Sequence, residues 1–290
     1  MTVLDPRLNA YRSDLAAASL EGRIEAARFV TGRPAQVACG VADLRRAPAP
    51  TAPLDSQLLF GETVTVYDRA GGWAWVQNGT DDYVGYVSAV ALAAQVAPAT
   101  HTVGVPRTFL YPEPDLKAPP LDALSLMSRV SVTGQQARFA EIAVGATRGW
   151  VYAAHLAAPG QEALDYVATA LAFLGVPYLW GGRSSLGLDC SALVQLALAR
   201  AGQPCPRDTA AQAGALGEAI EWRPGQSVPR RGDLVFFPGH VAIALDGSRV
   251  VHTNAGAMLT AIESLAGLEA RVKDETGGTG ITGLRRLSVD

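Results

Sequence analysis

No two cysteines in this 290-residue sequence are spaced for a disulfide framework or a zinc knuckle. There are three, Cys39, Cys190 and Cys205, an odd number without C-x-x-C spacing. Charge of one sign is equally scarce. Twenty-four Lys and Arg stand against 27 Asp and Glu, a net of −3, which gives no electrostatic footing for nucleic acid or a membrane surface. No run approaches the ~18 uninterrupted apolar residues of a transmembrane helix. The opening MTVLDPRLNAYRSDLAAASLEG carries Asp5, Asp14 and Glu21 and has no apolar core of its own. A signal peptide is therefore not expected, and a cytoplasmic enzyme with free thiols is.

What is present suits a globular chain with a substantial core: 49% hydrophobic residues and 18% charged. Its length fits one large domain or two to three small ones. Residues 12–30, RSDLAAASLEGRIEAARFV, are rich in Ala, Leu and Glu and predict an amphipathic helix, making residues 1–34 a helical lead-in. After Pro34 the texture changes to short strand-like runs broken by Ala-Pro, Gly-Gly and Asn-Gly-Thr-Asp-Asp, the pattern of a small all-β barrel over 35–95. A second copy follows over 96–158. "GETVTVYDR…WAWVQ…YVGYVSAVAL" aligns with "MSRVSVTGQ…FAEIAV…RGWVYAAHL", each ending in Gly-(Tyr/Trp)-Val at Gly85-Tyr86-Val87 and Gly149-Trp150-Val151. From 159 to 290 the chain turns α+β. Helical QEALDYVATALAFLGV, CSALVQLALARAG and DTAAQAGALG precede the antiparallel-strand patterns DLVFF, HVAIALDGSRVVHTNA and TGLRRLS.

Chemistry concentrates at Cys190. Loop residues end in Asp189-Cys190-Ser191 and an apolar helix starts at once, so the thiol meets the free N–H groups and positive dipole end that favour thiolate. Asp189 can cap that helix. A buried apolar cysteine is the plain alternative, and position alone leaves the two even. The four histidines, His101, His155, His240 and His252, shift the balance. His240 and His252 flank a hairpin turning at Asp246-Gly247. With Leu245-Asp246-Gly247 as a three-residue loop, they lie directly opposite each other on one face. A thiol at a helix start packed against two imidazoles suits nucleophilic catalysis, with one imidazole as base and the other orienting it. A Cys-His-His metal site would want closer spacing and a fourth ligand. His101 and His155 read as structural.

Taken together, Tyr178-x-Trp180-Gly-Gly, Asp189-Cys190-Ser191, Pro206-Arg207-Asp208, Gly232-Asp233-Leu234-Val235-Phe236-Phe237, His240-Val241 and His252 resemble the NlpC-type cysteine peptidases of bacterial cell walls, a papain-like group. Ala192 and Ala242 stand where the family often has Gly. The resemblance implies a multidomain fold: two small all-β SH3-like barrels followed by an α+β papain-like (NlpC-type) peptidase domain. It implies Cys190 as nucleophile, His240 as base, His252 as the orienting residue, and Tyr178 near the oxyanion. No metal or organic cofactor is implied.

Tandem SH3-like barrels before such a domain look like the γ-D-glutamyl-L-diamino-acid endopeptidases of muropeptide recycling. The implied partner is a small murein peptide with a free N-terminal L-Ala, cut between γ-D-Glu and meso-diaminopimelate or L-Lys. The free amine would be met by Glu62 and Tyr83 of the first barrel and by Asp189, Ser191, Asp208 and Thr209. Glu62 as a turn carboxylate and Asp208 as a helix N-cap are the plainer alternatives. Two other functions stay open: an amidase or acyltransferase of the same fold, and a cell-wall binding module with a non-functional catalytic domain.

Overall fold

The computed structural model describes residues 4–288 and divides the chain into two compact units, Met1–Gln161 and Glu162–Asp290. Within the first, the lead-in corrects the sequence expectation: it contains no α-helix among its described residues. Two short strands, Ala16–Ala17 and Phe29–Val30, pair in parallel around a single 3-10 turn, Ala18–Leu20. Helix propensity is a weak preference that tertiary packing overrides. Here Leu15, Ala17 and Leu20 bury against Trp75 and Val84 of the following barrel. Arg12 lies 4.4 Å from the centroid of the Trp75 ring and pairs with Asp14 and Asp68, both at 2.8 Å. The apolar residues thus follow the barrel's surface, not a helical period.

Two barrels follow with the same strand succession. The first sheet runs Leu54–Leu59, Val41–Arg45, Val84–Ser88, Trp73–Asn78, Thr63–Ala70, Arg33–Val37, Leu92–Ala93. The second copy holds Thr147–Tyr152, Phe139–Val144, Arg129–Gln136, His101–Val103 and Leu156–Ala157 in one sheet. A ribbon of Arg107–Leu110 with Asp122–Ser125 joins it through the Tyr111–Trp150 bridge. The repeated glycine has one physical cause in both copies. A Cβ on Gly85 would stand 2.8 Å from Leu44 and 2.9 Å from the Arg45 carbonyl oxygen. One on Gly149 would stand 2.6 Å from both Leu110 and the Tyr111 carbonyl oxygen. Close backbone approach, not turn formation, therefore fixes the signature. Phe60, from the first copy, is buried in the core of the second.

The second unit builds an antiparallel sheet from β1 (Glu218–Ile220), β2 (Leu234–Phe237), β3 (His240–Ala244), β4 (Arg249–Asn254), β5 (Leu259–Ser264) and β6 (Gly283–Arg286), in spatial order β1-β6-β2-β3-β4-β5. Its helices are α1 (Tyr166–Leu171), α2 (Cys190–Arg200), α3 (Thr209–Ala215) and α4 (Leu265–Thr276). Leu265, Leu268 and Val272 of α4 pack on Val235, Phe237, Ala242, Ala244 and Val250 of the sheet. Helix α2 is buried from Cys190 to Leu198 and packs against β3 and β4. Each of its Leu and Val side chains stabilises the unit by about 1.5–3 kcal/mol on burial. The Gly232-Asp233 motif proves architectural: buried Asp233 takes a bidentate pair from Arg286, at 2.8 and 2.6 Å, and so ties β6 to the start of β2.

Candidate active site

The site starts with the first turn of α2. Asp189 is the N-cap, its Oδ1 accepting the Ala192 N–H at 2.9 Å. The same carboxylate takes a bidentate pair from Arg207, at 2.9 and 2.7 Å, and the Gly181 N–H at 3.1 Å. Ser191 donates its hydroxyl to Asp189 at 3.2 Å and accepts from Arg207 at 3.0 Å. Arg207 is only 3% exposed, so two charges leave water as one fixed pair. Asp189 and Ser191, expected to meet substrate, are thus engaged in shaping the turn that carries Cys190. Gln212 of α3 donates to the Ser191 carbonyl at 2.9 Å and to that of Pro206 at 2.8 Å, and so pins α3 beneath this turn.

Cys190 is buried, with the Thr209 hydroxyl 3.8 Å from its sulfur and the Val241 N–H directed at it. His240 is not a hydrogen-bond partner of the thiol; its immediate neighbour Val241 is. Burial pushes the thiol up to about 11, and the Asp189 carboxylate adds to the rise. That outcome reverses the thiolate expected at a helix start, because desolvation outweighs the dipole. Burial likewise pushes His240 down to about 4 and His252 down to about 3, with Arg271 adding to both and His240 adding to the fall of His252. These directions favour a thiol beside two neutral imidazoles.

The two rings meet: His240 Nε2 lies 2.8 Å from His252 Nδ1. The register that brings them together differs from the sequence expectation. Ile243 faces Val251 and Ala244 faces Val250, and Leu245 N–H donates to the Arg249 carbonyl at 2.8 Å. The loop is therefore Asp246-Gly247-Ser248. Continuing the ladder sets His252 level with position 242, so the histidines are diagonal, not opposite. The loop has three residues either way, so the parity that keeps both on one face is unchanged. The cause is Asp246, whose Oδ1 accepts the N–H groups of Ser248 and Arg249, both at 2.9 Å. This Asx-type turn closes the loop without a left-handed glycine.

Tyr178 reaches the same place by a separate route. Its N–H donates to the Met258 carbonyl at 2.9 Å and it bridges to Leu188, on a segment that pairs with the edge of β5. Burial pushes its phenol up to about 12, with the Cys190 and Asp189 charges contributing. Thr209 stands at the thiol. Asp208 precedes α3, but its side chain does not cap that helix. Glu62 and Tyr83 belong to the first unit. Glu62 is 1% exposed, accepting the Leu59 N–H and the Thr80 hydroxyl, both at 2.8 Å. Tyr83 is buried in the first barrel's core, where its hydroxyl takes Arg7 at 3.5 Å. Sequence reasoning missed Arg207 as the partner of Asp189, although Pro206-Arg207-Asp208 offered the signal. It also missed Glu263, Asn254 and Arg271 around His252, for which no motif exists. Among the described residues no cluster of three or more His, Cys, Asp or Glu is placed to hold a metal ion.

Known proteins resemble a segment of each unit. Residues 175–268 match the NlpC/P60 family and residues 44–92 the bacterial dipeptidyl-peptidase Sh3 domain. A gamma-D-glutamyl-L-lysine dipeptidyl-peptidase of Bacillus cereus is 27% identical over 69% of this chain and 67% of its own. Dipeptidyl-peptidase 6 of Lysinibacillus sphaericus is 36% identical over 35% of this chain; the match spans about a third of that relative, 36%. The crystal structure of an NlpC/P60 family protein from Bacillus cereus has a TM-score of 0.73 at 21% identity, covering 87% of this chain and 99% of that one, and shares the fold.

Proposed function

We propose, from the premise that this chain carries an NlpC/P60 cysteine peptidase domain behind a bacterial dipeptidyl-peptidase Sh3 domain, that it hydrolyses the γ-D-Glu–diamino-acid bond of peptidoglycan-derived peptides with a free N-terminal L-Ala. The observation that carries the reaction type is the thiol at the start of α2 beside the His240–His252 pair, joined at 2.8 Å. The likeness over both domains to a relative named for γ-D-glutamyl-L-lysine peptides supports the substrate class.

Cys190 is the nucleophile in this reading. Its S–H proton passes to the His240 nitrogen that His252 does not occupy, and sulfur attacks the γ-carbonyl of D-Glu. Backbone N–H groups of the first turn of α2 and the Tyr178 hydroxyl meet the oxyanion. His240 returns the proton to the departing amine as the C–N bond breaks, leaving a thioester. Water then attacks the thioester, giving its proton through His240 back to sulfur. Thr209 and Asp208, at the start of α3, provide the hydroxyl and carboxylate for the ammonium end. A cytoplasmic setting and a role in recycling belong to the same proposal, and three cysteines held in no disulfide suit a reducing compartment.

The test is mass spectrometry of L-Ala-γ-D-Glu-L-Lys and L-Ala-γ-D-Glu-meso-diaminopimelate incubated with the protein, beside their N-acetylated forms. Release of L-Ala-γ-D-Glu from the free-amine peptides alone, absent in Cys190→Ala, is the expected result. Equal cleavage of the acetylated peptides removes the amine specificity, and no cleavage of either removes the substrate class.

A further inference from the structure

The outer nitrogen of His252 is contested. Its Nε2 lies 3.1 Å from Glu263 Oε2 and 3.1 Å from Asn254 Nδ2, and these two neighbours demand opposite protonation states. The Asn254 orientation is set by its other atom, since Oδ1 accepts the Ala257 N–H at 2.7 Å. Its NH₂ group therefore points at His252 and could donate only to a bare Nε2. Glu263 can only accept, and so requires Nε2–H.

The choice travels inward. With Nε2–H on His252, its Nδ1 is bare and accepts from His240 Nε2–H across the 2.8 Å contact. The remaining nitrogen of His240, Nδ1, is then a lone pair able to take a thiol proton. With Nε2 bare, every donor reverses: His252 Nδ1–H donates to His240 Nε2, and His240 Nδ1 already carries a proton and cannot act as base. Only one of the two tautomer chains is competent.

We propose that Glu263 is a positioning residue that selects the base-competent tautomer of the His240–His252 pair, acting through His252 from outside the reacting atoms. An ionised acceptor forms a hydrogen bond roughly twice as strong as a neutral donor such as the Asn254 amide, so the carboxylate wins the contest. Glu263 is itself fixed by Arg271 of α4, whose Nη2 stands 2.5 Å from the same oxygen. The side chains of Glu263 and Arg271 are 30% and 31% exposed, whereas that of His252 is fully buried. A partly solvated ion pair thus sets the proton position in a dry site. As His240 gains its proton during the reaction, the Glu263 carboxylate also faces the developing charge, against the opposing cation of Arg271. These two face His252, and on the thiol side the Asp189–Arg207 pair and the Tyr178 phenol face Cys190.

The inference rests on the peptidase reading for its activity arm but not for its spectroscopic one. Long-range ¹H–¹⁵N spectra of the full chain labelled at histidine report the tautomer directly. His252 is expected as Nε2–H in the wild type and as a larger Nδ1–H fraction in Glu263→Gln, which keeps shape and removes charge. With the peptide substrate, Glu263→Gln and Glu263→Ala should lower kcat by about 10- to 100-fold with KM nearly unchanged. The acid limb of the kcat/KM profile should move to lower pH, because the imidazolium loses its anion; a merely structural loss would lower activity without moving the limb. Glu263→Asp should recover part of the rate. An unchanged His252 tautomer in Glu263→Gln overturns the proposal whatever the substrate proves to be. So does a wild-type kcat in that variant with active wild-type enzyme alongside. Failure of the wild type to cleave the peptides, with the tautomer shift present, overturns the substrate and leaves the tautomer selection standing.

Discussion

Two helices of the second unit begin on similar words, Asp189-Cys190-Ser191 and Asp208-Thr209-Ala210, and the structure uses them differently. Asp189 caps α2, binds Arg207 through both oxygens and takes the Gly181 N–H. Asp208 sits at the same position of α3 without capping it. Helix α2 has 11 residues and is buried to Leu198, whereas α3 has seven, with Gln212 its buried residue. One aspartate fixes where the thiol points; the other stands beside it at a shorter, more open helix. A carboxylate whose valences are all met within the domain defines geometry. Asp208, which does not cap its own helix, is the carboxylate that the proposed function assigns to the incoming ammonium.

That contrast can be broken in order of effect. Cys190→Ala should lower peptide turnover by about 10⁴-fold or more, since removing a nucleophile forfeits the covalent route entirely. Liquid chromatography of the released dipeptide checks it. Arg207→Met should cost the second unit about 3–5 kcal/mol in denaturant unfolding, because it strands the Asp189 charge in a buried setting. Asp208→Asn should change stability by about 1 kcal/mol or less, yet raise KM for the free-amine peptide. Similar unfolding losses for both variants would erase the distinction between the two helix starts.

Stability against pH offers a separate check. His240 and His252 are held below the ordinary 6.5, at about 4 and 3, so the unfolded chain binds their protons more tightly. Their contribution is present above pH 6.5 and is lost as pH falls through 4 and 3. Cys190 is held above the ordinary 9.0, at about 11, so the native state keeps a proton the unfolded chain releases. That contribution is present below pH 9 and is lost as pH rises toward 11. Thermal melting should therefore show a plateau between about pH 6.5 and 9, and Cys190→Ser should flatten the alkaline fall. An alkaline limb unchanged in that variant would assign the loss to other groups.

Much of this was legible in the residues because local rules and packing agreed. The start of α2 at Cys190 follows from Asp189 and the apolar run behind it. The repeated Gly-(Tyr/Trp)-Val follows from one close strand crossing in each barrel. Where they disagreed, packing won. The Ala-rich lead-in reads as a helix, but Trp75 and the barrel surface capture its apolar residues. Asp246 moved the hairpin loop by one residue through its own side chain, which no glycine rule anticipates. The thiolate expected from the helix dipole gives way to burial. Glu263 and Arg271 were invisible because an ordinary carboxylate on a strand and an arginine on the next helix carry no motif. Their meaning comes only from standing at His252.

The most direct test of the central claim is intact-protein mass spectrometry of the chain quenched in acid during turnover of L-Ala-γ-D-Glu-L-Lys, followed by peptide mapping. A thioester adduct of the L-Ala-γ-D-glutamyl group on Cys190, absent in Cys190→Ala, is the predicted result. Steady release of the dipeptide by the Cys190→Ala protein would contradict it.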